Sequence, residues 1–154
     1  MPHSLDLKIN PPLQMLISIV LIYVTANTLP VSATLLENQW LLGSIFLSIG
    51  LFFNFAGGTS FRLAKTTGNP NRPELAASLV TSGIYRISRN PMYVGLIFLL
   101  LAWATWLGSF FSLAIIAAFQ QTMTRFQIIP EEKALAHRFN EKFHDYRQQV
   151  RRWL

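Results

Sequence analysis

Four long apolar stretches, three of them without a single charge, decide what this chain can fold into. They run over residues 13–29, 40–61, 90–107 and 109–129. Each approaches the roughly 20 helical residues needed to cross about 30 Å of hydrocarbon. The fourth carries only Arg125, near its end, where a long side chain can snorkel to the interface. The rest of the composition agrees: 51% of the 154 residues are hydrophobic and only 13% are charged, where a soluble domain carries about a quarter charged. The expectation is an all-α integral membrane bundle, one domain over residues 1–154, with about four transmembrane helices. The segment before the first stretch, MPHSLDLKINPP, holds one lysine and one aspartate, and no A-x-A site follows, so this stretch reads as a retained helix. With no cysteine there is no disulfide framework, thiolate metal site or thiol nucleophile. No metal site is expected.

The basic residues orient the bundle. Lys8 precedes the first stretch, and Arg62, Lys65, Arg72, Arg86 and Arg89 crowd the connection 62–89. Lys133, Arg138, Lys142, Arg147, Arg151 and Arg152 follow the fourth stretch. The connection around Val31 to Asn38 holds only Glu37, and the turn at Gly108-Ser109 holds no charge. Lys and Arg collect on the cytoplasmic side, so both ends of the chain and the connection 62–89 are expected there, in an inner-membrane, multi-pass arrangement. The net charge of +6 is thereby explained by topology and anionic lipid headgroups. Nucleic acid is not an expected partner, because the cations flank spans and form no stripe with stacking aromatics.

Chemistry belongs in the cytoplasmic parts. The connection 62–89 contains the breakers TTGNPNRP, from Thr66 to Pro73, and loops of that length are usually functional or disordered. It leads into LVTSGIYRISRNPMYVG, from Leu79 to Gly95, which follows no regular period. After the fourth stretch, Leu135, Phe139, Phe143, Tyr146, Val150 and Trp153 recur at spacings of three and four. That pattern predicts an amphipathic helix over 131–153, lying on the bilayer or capping the bundle.

Leu79 to Gly95 resembles the signature of the isoprenylcysteine carboxyl methyltransferase family, whose relatives include phospholipid N-methyltransferases. A second block of that family resembles Glu131-Glu132, Leu135, Phe139, Phe143, Tyr146, Val150, Arg152 and Trp153. Two blocks, separated by one helical hairpin, are far more specific than either alone. The resemblance implies methyl transfer from S-adenosylmethionine to a lipophilic acceptor at the cytoplasmic membrane face, of the carboxyl O- or phospholipid N-methyltransferase type. It places Ser78, Leu79, Val80, Tyr85, Asn90, Pro91, Met92 and Tyr93 around the cofactor, with Glu131 on its ammonium group. No Rossmann glycine fingerprint or strand pattern is present, in keeping with an all-helical methyltransferase.

Plainer roles compete residue by residue. Asn90-Pro91 is a good helix start, Tyr85 and Tyr93 suit an interfacial belt, and Arg86 and Arg89 suit topology. Glu131 and Glu132 suit the positive end of a helix dipole. The two-block match favours the functional role for Tyr85, Asn90, Tyr93 and Glu131, but not for Arg86 or Glu132. No residue is singled out as catalytic in the narrow sense, because a sulfonium is already an activated methyl donor and the protein's work is positioning and exclusion of water.

Two departures from the family pattern bear on the acceptor. Asn90 stands where histidine is usual, which removes titration at that position. Gln127 stands where arginine often contacts a substrate carboxylate, and Arg125 lies about 200° around the helix. Gln127, Arg125 and Arg89 are the candidate substrate contacts. On this reading a free prenylcysteine carboxylate is a poor acceptor, and a neutral or zwitterionic lipophilic molecule is preferred. Two other functions remain open: a non-enzymatic small membrane protein or degenerate family member, and a relative of NADPH-dependent membrane reductases.

Overall fold

The computed structural model describes residues 10–29, 38–66 and 75–154. Lys8, Glu37, Arg72, most of the connection 31–38 and most of the 66–73 breaker run lie outside the described residues. Among the described residues every regular element is helical. The apolar stretches lie on α1 (Pro11–Thr28), α2 (Gln39–Leu63), α3 (Pro91–Trp106) and α4 (Ser112–Met123). Helices α1 and α3 each start with proline in the first turn, where its missing N–H costs nothing. Between α3 and α4 the chain turns at Gly108, with φ +63°, and the Ser112 hydroxyl bonds Ser109 Oγ at 2.7 Å.

Helices α1 and α2 are long and apolar enough to cross a membrane, and α3 is a shorter apolar helix. Only 22% and 17% of the apolar windows of α1 and α2 are buried, whereas the core helix of a water-soluble protein would hide most of such a face. Leu16, Val20, Tyr23, Leu51, Phe52 and Phe55 are among the large apolar side chains turned outward. Apolar helices with greasy outer faces are what a lipid solvent requires.

Small residues set the closest packing. Gly43, Gly50 and Gly57 are buried on one face of α2, seven residues apart, and Gly95 is buried on α3. A Cβ on Gly57 would come within 2.5 Å of Met92, and one on Gly95 would meet Asn54 and, at 2.9 Å, the Gly50 carbonyl oxygen. The helices approach at backbone distance because nothing protrudes between them. On the other side of α3, Ile22, Leu100, Ala104, Ile116, Phe119 and Met123 join α1, α3 and α4 in one apolar core.

Helix α4 does not end where the sequence pattern suggests. It runs through a π turn, Thr124–Ile128, directly into α5 (Ile129–Phe139). Pro130, in the first turn of α5, has no N–H to give, and its ring collides with the carbonyl four residues back in ordinary α geometry. The widened turn relieves both problems.

The single amphipathic helix expected over 131–153 is instead two helices, α5 and α6 (Glu141–Gln149), followed by extended chain. The break is Asn140, whose φ of 44° and ψ of −118° no helix allows. The apolar face itself is real. Phe143 and Tyr146 are buried against Val80, Ile84 and Tyr85, with Leu135, Phe139 and Val150 around them. This second core caps the bundle.

Candidate functional site

Between the two cores lies a cavity of about 360 Å³. Its walls come from α1 (Pro11, Pro12, Met15), α2 (Asn54, Phe61), the segment 76–90, the first turns of α3 and α5, and α6. The segment entering α3 is built by a chain of short bonds. Thr66 Oγ1 accepts the backbone N–H groups of Ala77 and Ser78 at 2.8 and 3.3 Å. Ser78 Oγ donates to the Ala64 carbonyl at 3.2 Å, so its hydroxyl ties the segment to the end of α2. Gly83, at φ +60°, opens the 3-10 turn Gly83–Arg86 that delivers Tyr85 to the cavity wall. The Tyr85 ring stands edge-on to Phe61 at 5.4 Å, and its carbonyl accepts the Tyr146 hydroxyl at 2.7 Å. Burial pushes both phenols well above their ordinary range.

Glu131 is the centre of the site. Tyr93 Oη and Gln127 Nε2 each donate to its Oε1 at 2.6 Å. Among the described residues neither bond nor any ion pair falls on Oε2, and the side chain lines the cavity. Burial raises its pKa to about 7, with the charge of Glu132 adding to the effect and the bonds from Tyr93 and Gln127 opposing it. A carboxylate fixed through one oxygen on the wall of a largely apolar cavity is an arrangement suited to a cation.

Glu132, one residue on, does different work. Burial works to raise its pKa, but bonds from Arg152 and Arg89 prevail and hold it below the usual carboxylate range. Arg89 meets Glu132 Oε1 through Nη2 at 2.8 Å, and Arg152 meets Oε2 through Nη2 at 2.7 Å. The other end of the Arg89 guanidinium, Nη1, donates to the carbonyls of Arg147 and Val150 at 2.9 and 2.8 Å. Ser88 Oγ and Asn90 Nδ2 both donate to the Arg152 carbonyl, and the Arg89 N–H donates to that of Arg151. Trp153 Nε1 reaches Thr124 Oγ1 at 3.2 Å. Together these bonds fasten the chain after α6 across the mouth of α3.

Eight of the nine residues matched to the cofactor therefore share the cavity wall: Ser78, Leu79, Val80, Tyr85, Asn90, Met92, Tyr93 and Glu131. Pro91 is buried at the start of α3 and is not on the wall. Asn90 makes no side-chain cap on α3; its amide holds the Arg152 carbonyl instead. The substrate candidates fare differently. Gln127 is fully buried, donates its amide N–H to Glu131 and is not on the cavity wall. Arg125 is exposed and off the wall. Arg89 is on the wall, but Glu132 and two carbonyls occupy its guanidinium. Glu132 belongs to this ion cluster, where the sequence suggested only a helix dipole.

Several wall residues escaped the sequence reading. Phe143 and Tyr146 belong to the second family block and to the amphipathic face, but neither pattern names them as cavity residues. Asn54 had a usable signal, an amide in an otherwise apolar span, since polar groups at such depth are expensive and need a reason.

The profile of the phospholipid methyltransferase family matches residues 13–142. Over 63 residues, 41% of this chain, the sequence is 40% identical to the whole of an uncharacterized protein from Haemophilus influenzae. No solved structure matches significantly.

Proposed function

The chain belongs to the phospholipid methyltransferase family, and on that premise we propose that it is a membrane-embedded, S-adenosylmethionine-dependent methyltransferase acting on a lipophilic acceptor. The observation that carries the proposal is Glu131, which lines the cavity while Tyr93 and Gln127 hold its Oε1. The cavity fits the cofactor: about 360 Å³ falls within the roughly 300–1,000 Å³ of small-molecule sites. It offers a carboxylate for an ammonium group and aromatic walls from Phe61 and Tyr85 for a flat ring. When bound, S-adenosylmethionine supplies a methyl group already activated on a sulfonium.

The chain's own residues then have three tasks. Glu131 binds the cation, and Tyr93 and Gln127 orient it. The ion cluster of Arg89, Glu132 and Arg152 keeps the segment after α6 in place at the site, which shields it from bulk water. The apolar wall above, from Met15, Met92 and Leu96, desolvates a lipophilic acceptor. Gln127 is too deep to sort acceptors by charge, so the preference against carboxylates drawn from that position has no contact behind it.

The test is binding of S-adenosylhomocysteine to detergent-solubilised protein by calorimetry. A carboxyl with a pKa of about 7 is roughly one-tenth ionised at pH 6 and nine-tenths at pH 8. Because only the ionised form pairs with the ammonium, affinity should rise about tenfold over that interval. Glu131→Gln should weaken binding by at least about tenfold at pH 8 and flatten the profile. A flat wild-type profile, or Glu131→Gln binding as well as wild type, would remove Glu131 from the cofactor site.

We also read the chain as four spans with residues 62–89 and 130–154 in the cytoplasm, which the basic residues on those segments support. A reporter fused after Leu154 should be active only as a cytoplasmic reporter. Periplasmic activity there would overturn this arrangement.

A further inference from the structure

Helix α2 places one amide, that of Asn54, on the cavity wall beside Gly50 of its own helix and Gly95 of α3. Asn54 lies nine residues before the end of α2 at Leu63, about 13 Å along the axis from that end. It packs against Gly95, the one spot on α3 without a side chain to displace it. Its Nδ2 donates to the Gly50 carbonyl at 2.9 Å. Since a carbonyl can only accept, this bond fixes which way the amide points. Oδ1 then has no partner among the described residues, on a side chain that lines the cavity. An amide carbonyl oxygen in an apolar wall accepts hydrogen bonds and cannot give them, and leaving it unmatched in a dry complex is costly.

We propose that Asn54 is a specificity-determining residue, whose Oδ1 accepts a hydrogen bond from an N–H or O–H at the reacting headgroup of the methyl acceptor. A carboxylate, which presents only acceptor oxygens, is repelled at the same place. Selection between acceptor classes is thereby assigned to Asn54, on the wall, and not to Gln127, which is off it. The inference rests on the methyltransferase reading, and its test has a separate arm for that reading.

Equilibrium binding of radiolabelled phosphatidylethanolamine, diacylglycerol and palmitate is measured on detergent-solubilised protein, with and without S-adenosylhomocysteine. Wild type should hold at least one of the two donor-bearing lipids about tenfold more tightly than palmitate, the amine or the hydroxyl being identified by which is preferred. Asn54→Leu, which keeps the bulk, and Asn54→Ala, which cannot clash, should both erase that ratio. A role confined to packing α2 on α3 would weaken all three lipids alike and leave the ratio intact. Equal affinities in wild type, no binding of any probe, or a preference that survives both substitutions overturns the proposal. Failure of S-adenosylhomocysteine to bind wild type, with the lipid preference present, would instead sink the cofactor reading alone.

Discussion

Replacing Glu132 by alanine should cost about 3–5 kcal/mol of stability, the penalty for leaving a buried guanidinium without its carboxylate. The Arg89 side chain is 8% exposed and that of Glu132 11%, so water cannot take over the pairing. Arg152 is 30% exposed, so Arg152→Ala should cost far less, about 1 kcal/mol. Thermal unfolding in detergent measures both. A loss below about 1 kcal/mol for Glu132→Ala would mean that Arg89 finds solvent in the variant. Adding Arg89→Met should recover part of the loss, since an apolar pair is tolerated where half an ion pair is not. The pH dependence has a definite sign. The native pKa of Glu132 lies below its ordinary value of 4.5, so the cluster stabilises fully above that value and fails as pH falls through the lower, native one. Its neighbour Glu131 is pushed the opposite way, which leaves two adjacent carboxyls in different charge states over a wide pH range.

Gly95→Val should cost about 3 kcal/mol or more, measured by the same unfolding assay. Its Cβ would sit 2.9 Å from the Gly50 carbonyl oxygen, a backbone atom, and would collide with the Asn54 amide. Neither α2 nor α3 can step back without opening the joint along Gly43, Gly50 and Gly57. Gly58→Val is the control, because a Cβ on Gly58 meets nothing within 4 Å. Similar losses from the two would show that valine is harmful for reasons unrelated to this packing, and would remove the close approach as an explanation.

The helices were legible because long uninterrupted apolar runs announce themselves, and α1, α2 and α3 start and stop within about two residues of those runs. The three glycines spaced seven apart on α2 are equally present in the sequence, but a missing side chain has no hydropathy to notice. The break at Asn140 was hidden for a related reason: Phe139 and Phe143 keep helical spacing across it, although the backbone turns between them. At the site, two family blocks could bring Tyr85 and Tyr93 together with Glu131, 38 residues beyond Tyr93, because the resemblance names both blocks at once. The role of Glu132 could not be found that way, since its partners stand 43 and 20 residues off and a Glu-Glu pair behind a proline has an adequate local explanation. Gln127 is a substrate candidate through the family pattern alone, and a pattern carries no burial, whereas the side chain is fully buried beside Glu131.

The π turn at Thr124–Ile128 limits how this chain can change over evolutionary time. Substitutions along α4 are cheap so long as they stay greasy, but the number of residues between Phe119 in the apolar core and Glu131 in the cavity is not free to vary. Deleting one residue from the regular part between Phe119 and Glu131 would swing everything beyond it by about 100°. Glu131 would leave the cavity, and Glu132 would be drawn off Arg89 and Arg152 in the same movement. Insertions and deletions in this lineage are therefore expected in the loops and excluded from this short stretch, even though no atom of the turn's own backbone need ever touch a ligand.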